Sequence, residues 1–514
     1  MQWWVPVAAW VMVMSSTLEV VQGARVLFLG PVTSKSHKNF FMSIANALAD
    51  NNNQVTMVSS YKPSKVRDNV REVVLPDIDI HDFMPNMFTG NKMTGPLTLM
   101  FNAPLLCSDA LEKEEMQSLM EEDFDVIILS IFFSDCFLSV AHKMKVPLIH
   151  ICPGGLFGPL TSMVANPSFP SFVGAPIFDF SPPLTFTQRA INTFFSTVAD
   201  IYFDNFHLPR MEAECRLRGL CPDDMPSLSE LRYNTSILIV NSVRTIEYPP
   251  RPLIPSVVYA GGSHCRPSQP LPQDLEEWVS GAGEDGFIFF SVGSAVIASS
   301  IPEEYRTILV QVFGSLKQRV LWKWDKDTMD DLPPNVRLST WLPQQDILGD
   351  PRLRLFITHG GLLSTLESAY HGVPVLGMPV FGDQYTNMLA VEREGWGRVL
   401  FWDQLTPSAL KDMINHVMTT PRLWATAREK SVLMKDQPQD PAKVAAYWVE
   451  YVVRHKGAKH LRSPTVNMTW YELYNVDVWA FLVAVLLLLT YIFIRVILAL
   501  CSWLFFSKPK PKVE

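Results

Sequence analysis

Between Trp341 and Gln384 the chain reads WLPQQDILGDPRLRLFITHGGLLSTLESAYHGVPVLGMPVFGDQ. Trp341, Gln344, His359, Gly361, Ser364, Glu367, Asp383 and Gln384 all fall at the ends of apolar runs or in turns. Their chemistry is that of a nucleotide-sugar site. An indole stacks on a flat base, and a glutamine reads a base or ribose edge. Imidazole and hydroxyl groups meet phosphate oxygens, and carboxylates hold sugar hydroxyls. The apolar runs Leu355–Thr358 and Val373–Val380 each lead into a Gly-containing turn that opens a helix. An α/β sheet offers backbone N–H groups and a helix N-terminus to an anion in this way. Ser291-Val-Gly293-Ser294 closes a further apolar run, Phe287–Val292, in a similar turn. Plainer roles compete for several of these residues. Trp341 could be a core aromatic, and Ser364-Thr-Leu-Glu367 has the form of a capping box. Asp383 could be a simple N-cap.

The order Trp, Gln, His-Gly-Gly, Ser, Glu, Asp-Gln with these gaps resembles the signature of the UDP-glycosyltransferase family, in the form common among insect members. The resemblance runs from about Val26 to the C-terminus and is sharpest here. It implies that Trp341 stacks on the uracil and Gln344 reads a uracil or ribose edge, that His359, Gly361 and Ser364 lie at the diphosphate, and that Ser291, Gly293 and Ser294 line the same site. It further implies that Glu367 holds the ribose and that Asp383-Gln384 holds the transferred sugar. Mammalian and plant members carry Asn one residue before the position of Ser364, whereas Leu363 stands here.

The resemblance also assigns the chemistry of the acceptor. Ser36-His37 matches the Ser-His of the family, in which the histidine is the general base that takes the acceptor proton. Imidazole suits that task because its pKa lies near working pH. Such a base is expected to be oriented by a carboxylate, as in hydrolase triads. Where many mammalian members read Phe-Asp-…-Ala-Asp, the second Asp falls on Ser130. Asp135, in Phe132-Phe-Ser-Asp-Cys136, is therefore the expected partner. The implied reaction is direct displacement at the anomeric carbon with inversion. UDP-sugar is a co-substrate, and no cofactor or metal is expected. The triplets Asp77-Ile-Asp79, Asp123-Phe-Asp125 and Asp325-Lys-Asp327 have the form that metal-dependent transferases use, but none follows a suitable strand.

Length and composition frame the rest. The chain has 514 residues, a net charge of −8 and 48% hydrophobic residues. That is enough for two large domains, and no basic surface for nucleic acid is indicated. Trp3–Met14 is an apolar run, too short for a span, and Val21-Gln22-Gly23 resembles a cleavage site, so residues 1–23 are expected to be a signal peptide. Val478–Ile494 lacks charge, and the apolar character resumes after Arg495. Trp479 and Trp503 stand near its edges, so residues 478–500 are expected to cross a membrane. Lys508, Lys510 and Lys512 follow this stretch while Glu472 and Asp477 precede it, which puts the 501–514 tail in the cytoplasm and the body in the lumen. Lys510-Pro-Lys512-Val-Glu514 has the form of a retrieval signal for the endoplasmic reticulum, making a single-pass type I protein of that membrane. Asn234-Thr-Ser and Asn467-Met-Thr are glycosylation sequons. Seven cysteines are present, and their spacing assigns no pairs.

An α/β architecture with parallel sheets is expected from the periodicity. Arg25–Leu29, a helix carrying Phe40, Ile44 and Leu48, and Gln54–Ser59 form a β-loop-α-β opening. Phe124–Ser130, Val146–Ile151 and Ser236–Ser242 continue this first domain, taken as 24–250 and acceptor-binding by resemblance. A Pro- and Gly-rich linker over 251–275 precedes a second strand–helix series, the 276–440 donor domain. A helical stripe over 441–460 is implied to cross back to the first domain. Two such domains facing a cleft make the GT-B fold. The expected partners are a UDP-sugar, with UDP-glucose suggested by the insect-type resemblance, a small lipophilic acceptor, the membrane through the C-terminal helix, and a second copy of the chain in a homo-oligomer. The Phe-, Met- and Pro-rich stretches His81–Cys107 and Leu156–Phe206 are the candidate acceptor pocket or ordinary core. A lipid-specific transferase and a non-catalytic lumenal binding protein remain alternatives.

Overall fold

A computed structural model describes residues 23–63, 66–78, 87–88, 94–156, 158–175, 178, 180 and 182–506. The expected signal segment, apart from its last residue, and the basic tail from residue 507 onward lie outside the described residues. Residues Met1–Arg462 form one compact unit and Ser463–Glu514 another.

Two parallel sheets organise the larger unit. The first contains β1 (Arg25–Gly30), β2 (Gln54–Ser59), β3 (Val70–Val74), β4 (Val126–Ser130), β5 (Leu148–Cys152), β6 (Ile237–Val240) and β7 (Val257–Tyr259), in the order β3-β2-β1-β4-β5-β6-β7. The second contains β8 (Phe287–Ser291), β9 (Arg319–Lys323), β10 (Val336–Ser339), β11 (Leu353–Thr358), β12 (Val375–Gly377) and β13 (Gly397–Val399), in the order β10-β9-β8-β11-β12-β13. Central strands such as β4 and β8 are buried along their whole length. That is why they read as continuous apolar runs and not as alternating ones. The strand expected over Val373–Val380 is confined to Val375–Gly377. Strands β3, β10 and β13 are additions to the sequence reading.

In both sheets the order reverses beside the first strand, between β1 and β4 and between β8 and β11, and open α/β sheets bind ligands outside the strand ends at such points. Helix α1 (Lys35–Asp50) follows β1, α2 (Gln344–Leu348) follows β10, α3 (Leu362–His371) follows β11 and α4 (Gln384–Arg393) follows β12. Helix α5 (Pro441–Arg454) buries Ala442, Ala445, Val449 and Val452 in one apolar cluster with Phe40, Ile44 and Leu48 of α1. Glu450 of α5 accepts hydrogen bonds from Asn51 and Asn53, both at 2.8 Å. Cys107 is bonded to Cys136 and Cys215 to Cys221, leaving Cys152, Cys265 and Cys501 as free thiols.

The smaller unit has one long helix, α6 (Val476–Phe506). Among the described residues, its stretch Val476–Phe505 is long and apolar enough to cross a membrane. It is a candidate span longer than the 478–500 expected from sequence.

Candidate active site

The first turn of α1 is held tightly. Ser34 caps it by accepting from the His37 backbone N–H at 3.3 Å. Lys38 is buried, pairs with Glu72 at 2.6 Å and donates to the carbonyls of Tyr61 and Lys62. This turn therefore has little freedom, and the His37 ring packs on Phe132 with centroids 4.7 Å apart. Its Nδ1 is buried without a hydrogen-bond partner among the described residues. Burial pushes the imidazole down to about 4, so the ring is neutral at physiological pH. Desolvation is the cause of this neutrality.

The expected pairing of His37 with Asp135 is not formed, which corrects the sequence reading. After β4 the chain turns through Phe133, whose φ is +49°. That turn lays Phe132 on His37 and sends Asp135 into the interior. There the carboxylate lies 3.7 Å from Arg232 Nε and 4.0 Å from His207 Nε2. Arg232 and His207 are themselves buried, so Asp135 neutralises an interior guanidinium. Ser130, at the family's aspartate position, directs its hydroxyl to the Phe132 backbone N–H at 3.3 Å.

On the opposite domain, His359 directly follows β11 and is wedged between two glycine turns. At Gly293, φ +81°, a Cβ would sit 2.4 Å from the His359 ring; at Gly361 it would sit 2.7 Å from Nε2. Only glycine lets both turns close on the imidazole at these positions. Burial first, and the Lys323 charge second, push His359 down to about 3. Ser291 accepts from the Gly293 N–H at 3.2 Å, and the Ser294 hydroxyl is buried without a partner among the described residues. Lys323, the last residue of β9, donates to the Gly293 carbonyl at 2.6 Å. Burial, reinforced by Lys35, lowers its pKa to about 8.

Helix α3 is capped at Gly361, so Ser364 lies in its first turn and is not the N-cap. The capping-box alternative fails on that ground. Ser364 Oγ instead accepts from Gln344 Nε2 at 3.0 Å, and the same amide donates to Glu367. Glu367 is buried, and burial pushes its carboxyl up to about 7. His264 approaches it at 3.9 Å and meets the Leu363 carbonyl at 3.4 Å. The Leu363 side chain joins the apolar cluster of α1 and α5, which accounts for an apolar residue where relatives carry Asn.

Trp341 is half exposed, so it is not a core aromatic; the Lys35 ammonium lies 3.4 Å from its ring centroid and that of Lys323 5.4 Å. Asp383 precedes α4 without capping it by its side chain, and its carboxylate accepts from Asn387 at 2.9 Å. Gln384 is buried and accepts from the Val380 and Phe381 N–H groups at 2.9 and 3.1 Å, which shapes the turn. Of the acidic triplets, Asp325 is engaged by Ser299 and Asp125 by the Arg25 N–H, while Asp79 lies outside the described residues. Asn234 and Asn467 are both exposed.

Sequence reasoning missed Lys35, Lys323, Phe132 and His264. Lys35 adjoins Ser36-His37, and Lys323 ends an apolar run, so both were open to a positional argument. His264 sits in the Pro- and Gly-rich linker, where no periodicity marks it.

These two facing sheets with a histidine-bearing turn on each define a GT-B glycosyltransferase. The family model described as UDP-glucoronosyl and UDP-glucosyl transferase matches residues 37–511. UDP-glycosyltransferase UGT5 of Dactylopius coccus is 31% identical over 520 residues, covering 98% of both chains. UDP-glucosyltransferase 2 of the same insect is 31% identical over 91% of both chains. UDP-glucuronosyltransferase 2B16 of Oryctolagus cuniculus is 34% identical over 76% of this chain and 74% of its own. Among solved structures, the calicheamicin glycosyltransferase CalG4 aligns with a TM-score of 0.58 at 16% identity, covering 84% of this chain and 99% of its own. The glycosyltransferase of kitacinnamycin aligns with a TM-score of 0.56 at 17% identity and the same coverage. The chain belongs to the UDP-glycosyltransferase family, and it is an enzyme that transfers a sugar from a UDP-sugar.

Proposed function

We propose that this enzyme transfers glucose from UDP-glucose to a hydroxyl of small lipophilic acceptors, with inversion, and that His37 is the general base. The observation that carries the base assignment is the neutral His37 ring, held by a fixed turn and keeping an unpartnered Nδ1. A neutral imidazole can take the acceptor proton as the new glycosidic bond forms. Asp135 is not needed in this reading, because its carboxylate serves Arg232. The base works unassisted, with Phe132 fixing the plane of its ring.

On the donor side, Trp341 stacks on uracil, Gln344 and Glu367 hold the ribose, and Asp383 with Gln384 meets the transferred sugar. His359, Ser364, Ser291, Ser294 and the N–H groups around Gly293 and Gly361 stabilise the departing diphosphate. The Gln344 amide already joins Ser364 to Glu367, which supports a shared nucleotide surface. Glucose is favoured by the insect relative whose name specifies it, although the rabbit relative is named for glucuronate. The domain roles follow: 24–250 takes the acceptor, 276–440 the donor, 251–275 links them and 441–460 returns to the first domain. The candidate span, exposed Asn234 and Asn467, and the basic tail support a glycosylated type I protein of the endoplasmic reticulum with lumenal domains.

The test is a microsomal assay with several UDP-sugars and a panel of phenols, comparing wild type with His37→Ala. Turnover with UDP-glucose that is abolished in the variant while UDP binding persists is the expected result. Unchanged activity in His37→Ala would sink the base assignment. No turnover on any phenol by wild type, with UDP bound, would favour a binding protein or a transferase confined to lipid acceptors.

A further inference from the structure

Lys35 is the first residue of α1, two positions before the proposed base, yet its ammonium reaches the opposite domain and lies 3.4 Å from the Trp341 ring centroid. No carboxylate pairs with it among the described residues. The charges that bear on it are cations: Lys38 acts on Lys35, and Lys35 in turn acts on Lys323. Lys323 shares the same indole at 5.4 Å and is anchored on the Gly293 carbonyl, beside His359. Asp325 and Glu367 also bear on Lys323, but Asp325 is bound to Ser299 and Glu367 to Gln344. Two ammonium groups thus converge on one aromatic ring from different domains, without an ion-pair partner for Lys35.

We propose that Lys35 is a donor-binding residue which exchanges the face of Trp341 for the donor diphosphate. This rests on the reading of Trp341 as the uracil platform. A base stacked on the face that Lys35 covers and the ammonium itself cannot share one position. The stacking base therefore displaces the ammonium. The diphosphate that enters with the base is the anion that relieves the repulsion between Lys35 and Lys323. Because Lys35 and His37 belong to one rigid turn, drawing Lys35 to the diphosphate fixes the base-bearing turn against the donor. Donor binding and positioning of the base become one event.

The exchange predicts opposite effects on two ligands that differ only in the diphosphate. Full-length protein in detergent is titrated by calorimetry with uridine and with UDP, as wild type, Lys35→Met and Lys35→Arg. Loss of one charge-assisted contact raises the Kd for UDP about tenfold in Lys35→Met. The Kd for uridine stays level or falls, since the competitor for the indole is gone. Lys35→Arg restores UDP binding, and the salt dependence of UDP binding weakens in Lys35→Met alone. Equal weakening of both ligands would mean a merely structural lysine, and an unchanged UDP affinity would mean no diphosphate contact; either overturns the proposal. Trp341→Ala is run alongside. If it leaves uridine binding as in wild type, the donor-site reading itself has failed and the exchange falls with it.

Discussion

Gly293→Ala tests whether the wedge around His359 is the donor site. At this position φ is +81°, and an added Cβ would lie 2.4 and 2.5 Å from two atoms of the imidazole. The backbone term alone costs about 1–2 kcal/mol for an L-residue in the left-handed region. The contact adds a displacement. To reach an ordinary separation near 3.4 Å, the ring must retreat by about 1 Å, and a misplacement of that size in a catalytic constellation can cost about 100-fold in rate. Gly395 supplies the control. Its φ is +79°, but nothing lies within 4 Å of its Cβ position. Both alanine variants should therefore lose stability, Gly293→Ala the more, read as the urea midpoint of solubilised enzyme, while only Gly293→Ala loses about two orders of magnitude in kcat/KM for the UDP-sugar. Equal kcat/KM for the two variants would refute the placement of His359 at the diphosphate.

Other expectations follow from the same geometry. His37→Ala should lower kcat by about 100-fold or more while UDP affinity, measured by calorimetry, changes little. Asp135→Asn removes one of the carboxylates that bear on buried Arg232, with Asp200 still present, and should cost on the order of 1–3 kcal/mol in urea unfolding, yet the folded fraction should keep kcat within about tenfold of wild type; a His37-like loss of kcat at unchanged stability would restore Asp135 as the partner of the base. Burial raises the Glu367 carboxyl from 4.5 to about 7, so the native state binds this proton more tightly than the unfolded chain. Its stabilising contribution is complete below pH 4.5 and is lost as pH rises through 7, on the order of 3 kcal/mol at most. Glu367→Gln should flatten that part of the stability–pH curve, and an unaltered slope would contradict the buried-carboxyl assignment. Leu363→Asn, which would copy the residue of mammalian relatives, should destabilise the enzyme by about 2–4 kcal/mol, because it puts an amide into the apolar cluster of α1 and α5.

The two parallel sheets were legible because buried parallel strands are written as unbroken apolar runs, and the turn after each is marked by Gly or a small polar residue. The runs at Phe287–Ser291 and Leu353–Thr358 show this plainly, and they carry Ser291 and His359 to the same end of one sheet in register: Thr358 pairs with Ser291. What a side chain meets at that end is a different kind of information. Spacing placed Asp135 beyond the strand that should serve His37, and the distance along the chain was right. Its direction was decided by His207 and Arg232, 72 and 97 positions further along the chain, of which Arg232 offers a buried carboxylate the charge it requires. The same holds for Leu363. Read against its neighbours in sequence it is a missing amide, whereas read against α1 and α5 it is the apolar contact through which α3 touches those two helices. Lys35 makes the point most sharply. Nothing within ten residues of it would predict an indole as its neighbour, since that ring is supplied by the other sheet, 306 positions later by the numbers of Lys35 and Trp341. Local pattern specifies elements, and charge and volume then select partners across the fold. An enzyme whose proposed base and proposed donor platform belong to different sheets is thus least readable where those two parts of the chain meet.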